Sequence, residues 1–165
     1  MTVFLCTACG TAYPEAAAPP DACPICQDER QYVPATGQGW TGREALAQGH
    51  RNAWRRHEPG LFSVQTVPAF AINQRAFLLV TPHGNILWDC IALLDAATEA
   101  LVHGLGRIRA IAISHPHYYT TMQDWAAAFG ATLHLHAADR AWIMRPSPPC
   151  ACGKERRWSW RRGRR

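Results

Sequence analysis

Arg109-Ala110-Ile111-Ala112-Ile113-Ser114-His115-Pro116-His117 is the stretch on which the fold turns. Its first six residues are almost continuously apolar, as expected of a strand covered on both faces. The polar tripeptide that follows lies at the carboxyl end of that strand, where α/β sheets place their sites. Two histidines one residue apart point the same way in an extended turn and can converge on one metal. The bland alternative is a pair of loop histidines with no ligand.

On the amino-terminal side, Leu61–Val67 and Arg75–Val80 read as strands, and Pro82-His83-Gly84-Asn85 turns the chain into a third, Ile86–Cys90. Asp95 can cap a helix that stops at Gly104. On the carboxyl side, a helix is predicted over Thr121–Phe129, with Thr121 and Asp124 as cap partners and Gly130 as its stop. A strand, Ala131–His136, and a short helix, Asp139–Met144, follow. Further upstream, Thr41-Gly42-Arg43-Glu44 has the form of a capping box, predicting a helix from Gly42 to Arg56 that ends at Pro59-Gly60. Strands joined by a hairpin, then helix–strand–helix–strand, imply a mixed α/β sheet. The chain has no internal repeats.

A hairpin ending in Leu87-Trp88-Asp89, a helix, a buried strand and then His-x-His resembles the first half of a metallo-β-lactamase-fold hydrolase, over roughly residues 60–145. The resemblance implies the N-terminal half of an αββα sandwich and hydrolysis of esters, amides or thioesters by metal-bound hydroxide. In that family the motif is H-x-H-x-D-H. Its first two histidines join a third, far downstream, at one metal, and its aspartate and last histidine serve a second. Here His115 and His117 fill the first two positions, but Tyr119 stands in place of the aspartate and Thr120 in place of the last histidine. The second metal site is therefore absent as written, because tyrosine is not a routine zinc ligand and threonine cannot replace imidazole. Two imidazoles alone are a poor zinc site, since catalytic zinc usually holds three protein ligands plus water. His134 and His136 share one face of their strand and could be recruited, although such residues more often simply face solvent. Asp89 matches a position where the family often carries an acidic residue; it either orients a ligand or caps a turn. The expectation is a chain with at most a weak second metal at His115 and His117, inactive or weakly active in hydrolysis, and truncated relative to the family.

The clearest motif lies at the amino terminus. Cys6-Thr7-Ala8-Cys9-Gly10 and Cys23-Pro24-Ile25-Cys26 are two C-x2-C knuckles. The two-residue spacing brings both thiolates of a pair to one ion at about 2.3 Å, and two pairs complete a tetrahedron. Gly10 supplies the freedom for positive φ in the first turn. Cys6, Cys9, Cys23 and Cys26 are expected to hold one structural zinc ion, with no open coordination position. The knuckles resemble those of zinc ribbons and rubredoxins. Rubredoxins, however, have a longer, aromatic-rich segment between the knuckles, whereas here it is short, rich in alanine and proline, with Tyr13 its only aromatic. An electron-carrying iron protein is the reading that this short segment opposes.

Composition bounds the remaining possibilities. The amino terminus has no positive region and no long apolar stretch, so it does not read as a signal peptide, and no run reaches the roughly 18 apolar residues of a membrane helix. A reducing cytoplasm is the expected location, where paired cysteines indicate metal before disulfide. The net charge is +5, but residues 150–165 alone carry +6, through Lys154 and six arginines against Glu155. The rest of the chain is close to neutral, so contact with nucleic acid or an acidic partner could come only through the tail. Cys150 and Cys152 sit in that segment without an assigned role. From about Pro146 onward proline, cysteine, glycine, tryptophan and arginine dominate, as when G/C-rich DNA is read out of frame, so a frameshift is the expected origin of the tail. An unpaired sheet edge and exposed apolar surface would favour self-association. The expected organisation is a ribbon over 1–34, linker and helix over 35–59, a metallo-β-lactamase-like region over 60–148 and a basic irregular tail over 149–165.

Overall fold

The computed structural model describes residues 1–28, 33, 35, 37–146 and 150–153, the last four as backbone only. Its amino-terminal part is a small antiparallel sheet of β1 (Thr2–Cys6), β2 (Ala12–Ala16) and β3 (Trp40–Gly42), in the order β2-β1-β3, with one helical turn, α1 (Pro24–Gln27). A short helix, α2 (Arg43–Gly49), leads into β4 (Arg51–Glu58), β5 (Leu61–Val67), β6 (Arg75–Leu79) and β7 (Asn85–Trp88). Then come α3 (Ala96–Leu105), β8 (Ile108–Ala112), a 3-10 turn over Pro116–Tyr118, α4 (Met122–Phe129) and β9 (Thr132–His136). A second 3-10 segment, Ala137–Trp142, precedes β10 (Cys150–Gly153).

The seven strands of the main sheet lie in the order β10-β9-β8-β7-β6-β5-β4. The β4 to β7 ladders are antiparallel and those from β7 to β10 are parallel. This is the mixed α/β sheet that the element order predicted. On one face Val64, Leu78, Leu87, Ile111 and Leu133 form a single core with Val102 of α3 and Met122, Trp125 and Phe129 of α4. Burial of these side chains, each stabilising by about 1.5–3 kcal/mol relative to exposure, is what holds both helices on the sheet. The other face carries Ala110 and Ala112 of β8 and leaves Val67, Leu79 and Trp88 exposed. The double coverage expected of β8 is thus provided by helices on one side only.

Two further expectations are corrected. The helix predicted from Gly42 to Arg56 stops at Gly49, and Arg51–Glu58 form β4, paired along its length with β5. Past Gly49 the segment alternates, with Arg51, Ala53, Arg55 and His57 exposed and Asn52 and Trp54 half-buried. The Asn52 amide donates to the Leu93 carbonyl and to Thr98 Oγ1, both at 2.9 Å, fixing the strand register from a distance. The Arg51 guanidinium donates to the Ala47 carbonyl, 2.9 Å away, so its cation closes the carboxyl end of α2. The capping box does not form either: Thr41 belongs to β3 and the N-cap is Gly42, with no side-chain capping bond.

The other caps divide. Asp95 accepts from the Thr98 amide at 2.8 Å and starts α3 as predicted. Thr121 stands at the N-cap of α4, but its hydroxyl donates to the Ile91 and Ala92 carbonyls, both at 3.1 Å, and makes no capping bond. The Trp125 indole donates to the same Ile91 carbonyl at 3.1 Å. Two buried donors thereby fasten the loop after β7 to the start of α4, the two segments that flank His115–His117. Gly130 ends α4 in the left-handed conformation, at φ 60°. Cys150–Gly153, expected within an irregular tail, pair with β9; the arginines of the tail lie outside the described residues.

Candidate metal centre and histidine loop

The two knuckles fold as their spacing requires. Gly10 adopts φ 77° and its amide donates to the Cys6 carbonyl at 2.7 Å, while the Cys26 and Gln27 amides both donate to the Cys23 carbonyl. Each turn leaves two sulfurs on its inner side. All four cysteines are buried, and their Sγ atoms lie within 4.8 Å of one another. The Cys6–Cys26 and Cys9–Cys23 separations are 3.6 and 3.7 Å. A tetrahedron with metal–sulfur bonds of about 2.3 Å has an edge of about 3.8 Å, so the donor set fits a metal ion.

Packed this closely, the sulfurs compete for protons. Hydrogen bonding from Cys26, joined by Cys6 and Cys9, holds Cys23 far below the usual thiol range. Hydrogen bonding to Cys23, with burial, holds Cys9 far above it. Without a cation the cluster cannot ionise fully, whereas a divalent ion offsets the repulsion among four thiolates. Ala8, Tyr13 and Ile25 surround the site, with Trp40 edge-on to Tyr13 at 5.1 Å. Trp142 and Met144 pack against the same cluster from the far end of the chain.

The histidine loop is braced from β7. Asp89, buried and at φ 63°, accepts from the Ser114 amide at 2.8 Å and from the Ser114 hydroxyl at 2.9 Å. Burial pushes its carboxyl above the ordinary carboxylate range, against the opposing pull of the Ser114 hydrogen bonds. Its carboxylate thus grips the residue immediately before His115.

His115 is exposed, and its Nδ1 accepts from the His117 amide at 3.2 Å. His117 is only 8% exposed, and its buried Nε2 has no hydrogen-bond partner among the described residues. Burial, with help from His115, pushes the His117 imidazole below its usual range, which favours the neutral form that a metal ligand needs. The two rings lie 5.3 Å apart.

The structure does not extend this pair. Tyr119 and Thr120 are both buried, Tyr119 within the main core. The Thr120 carbonyl accepts from the Ala12 amide at 2.9 Å. His134 and His136 share the face of β9 opposite Leu133 and Leu135, but His136 turns back to accept from the Ala138 amide. Among the described residues, the four cysteines are the only group of three or more metal-ligating side chains gathered at one point.

The sequence reading missed Gln74. It is 5% exposed, and its amide donates to the Cys9 carbonyl at 2.6 Å and to the His117 carbonyl at 3.0 Å. Nothing local marks it, because both partners are distant in sequence.

No protein-family model matches the chain. It is 42% identical over 149 residues to the uncharacterized protein YmaE of Bacillus subtilis, a match that covers 89% of this chain and 54% of YmaE. Among solved structures it is similar to a Cronobacter sakazakii metallo-β-lactamase described by its HARLDQ motif. The TM-score is 0.51 and the identity 22%, over 72% of this chain and 52% of that one. The fold is that of the metallo-β-lactamases. A metallo-β-lactamase from Hirschia baltica is also similar, with TM-score 0.43 and 18% identity over 56% of this chain and 47% of its own. The chain spans about half the length of the relatives it matches. The metallo-β-lactamase fold accommodates motifs that depart from H-x-H-x-D-H: HARLDQ keeps the first histidine and the aspartate, and His-Pro-His-Tyr-Tyr-Thr here keeps the first two histidines. No helix among the described residues is long and apolar enough to cross a membrane.

Proposed function

We propose that this chain is a metal-binding protein of the metallo-β-lactamase fold in which Cys6, Cys9, Cys23 and Cys26 hold one structural zinc ion, while His115 and His117 offer a weak second site without hydrolytic turnover. One observation carries the reading: four buried sulfurs within 4.8 Å of one another, at the separations of a tetrahedral site. Four thiolates suit zinc and leave it no open position, so the ion contributes folding energy and no chemistry on a substrate. The histidine pair supplies two of the three protein ligands that catalytic zinc usually takes. Tyr119 and Thr120 are buried in packing and backbone contacts and contribute no imidazole or carboxylate.

The test is metal content. Purified full-length protein should carry close to one tightly held zinc per chain, lost from the Cys6→Ser/Cys23→Ser double variant. Metal content unchanged by that substitution would refute the assignment, and a red iron protein would point to electron transfer instead. Contact with nucleic acid through the arginine-rich tail is the alternative, and its residues lie outside those described.

A further inference from the structure

We propose that Gln74 ties the four-cysteine centre to the histidine loop, so that filling the cysteine site holds His115-Pro116-His117 in shape. The inference rests on the metal reading of the cysteines and goes beyond it, because it makes the structural ion a determinant of the second site's geometry.

Three contacts join the two regions, and all are buried or backbone-borne. The Gln74 side-chain nitrogen has two protons, and it donates to one carbonyl on each side: Cys9 at 2.6 Å and His117 at 3.0 Å. The Ala12 amide donates to the Thr120 carbonyl at 2.9 Å. Gly10, in the first knuckle, lies so close to the loop that an added Cβ would stand 3.2 Å from Ala92 Cβ and 3.4 Å from Thr120 Cγ2. At φ 77° it also holds a conformation that favours glycine.

The mechanical consequence follows from the position of Cys9. Its sulfur belongs to the metal site and its carbonyl to the Gln74 bridge, so an ion that fixes the first knuckle also fixes the direction of that carbonyl. If the knuckle opens, Gln74 loses one acceptor, and a buried amide left unsatisfied is costly enough to move. Its other described partner is the carbonyl of His117, whose buried Nε2 has no hydrogen-bond partner among the described residues. The loop is a single 3-10 turn closed by the Tyr118 and Tyr119 amides on the His115 and Pro116 carbonyls, and the grip of Asp89 reaches it only at Ser114, ahead of the turn.

Amide hydrogen exchange on the zinc-loaded full-length chain tests this. Removing the metal with a chelator should speed exchange at Tyr118 and Tyr119 by on the order of ten-fold, the loss expected for one or two buried hydrogen bonds. Gln74→Met keeps the volume and removes the donors. It should retain one zinc per chain yet show fast exchange at the same amides before chelation, with little added by the chelator. A side chain that merely stabilises the fold would raise exchange but leave the chelator's increment intact, and that result overturns the assignment. Tyr118 and Tyr119 amides indifferent to metal removal from a zinc-loaded chain also overturn it, while leaving the metal reading standing. Failure of the unmodified chain to hold zinc removes both. If Gln74→Met does not fold, Gln74→Asn, one methylene shorter and still polar, takes its place under the same criteria.

Discussion

The four-cysteine ribbon and the histidine loop are both short motifs, and they differ in where their remaining ligands come from. Both halves of the ribbon site lie within 21 residues, each on its own tight turn, and packing Tyr13, Ile25 and Trp40 around them gathers every ligand. The histidine loop places two imidazoles on one turn at the end of β8, and the residues that follow them turn into the core. A motif that contains its whole coordination set specifies a site. One that contains part of it specifies only a place where a site could be completed.

The largest effect should come from breaking the complete side of this contrast. A small metal site is coupled to folding, so Cys6→Ser/Cys23→Ser or chelation should cost the ribbon its order. Backbone amide signals of residues 2–27 should collapse towards random-coil positions while those of β5 to β9 persist. Retention of dispersed ribbon signals without metal would show that apolar packing alone holds this part.

The helix-bearing side should then prove independent of metal. Trp125 is fully buried, packs on Phe129 and donates to the Ile91 carbonyl. Trp125→Ala should destabilise the main sheet by about 3–5 kcal/mol, as large-to-small core changes do. Denaturant unfolding with and without chelator should give the same loss. A loss that vanished in chelator would mean that the two regions melt as one unit.

These elements also mark what the sequence could disclose. β5 occupies the predicted Leu61–Val67, and the two C-x2-C spacings were enough to bring the cysteines together. Local pattern decided both. Residues 50–56 were misread because only pairing with β5 and the reach of Asn52 to Leu93 and Thr98 select strand over helix. Gln74 was invisible for the same reason, since its partners lie 65 and 43 residues away. The absence of an aspartate and a histidine after His117 was legible; that Tyr119 and Thr120 are buried against the core and the ribbon was not.

A smaller effect separates bracing from chemistry at Asp89. Burial raises its carboxyl pKa above the unfolded value of about 3.9. The folded chain therefore keeps this proton at pH values where the unfolded chain has released it. Asp89's contribution to stability is greatest in acid and declines as pH rises from about 3.9 through the raised value. Asp89→Asn keeps an acceptor for the Ser114 amide and removes the titration. Its stability difference from the unmodified protein should shift in the variant's favour as pH rises from 3.5 to 7 in urea unfolding. A difference that is flat across that range would place the carboxyl's pKa near its ordinary value.

The smallest effect is expected where the site is incomplete. His115 is exposed, and its side chain makes one described hydrogen bond, Nδ1 accepting from the His117 amide at 3.2 Å within a single turn. Losing a bond of that kind costs about 0.5–1.5 kcal/mol, so His115→Ala should fold and keep its ribbon zinc. It should lose the weak second binding event, because one imidazole cannot replace two. On ester, thioester and β-lactam substrates, both proteins should match metal-free controls. Hydroxide activation needs an ion held firmly enough to keep an open position beside it, and two ligands on one turn do not provide that hold. Turnover by the unmodified chain that disappeared in both His115→Ala and His117→Ala would reverse the contrast. It would mean that a third ligand reaches the loop from residues beyond those described, and that the incomplete motif had marked a working centre.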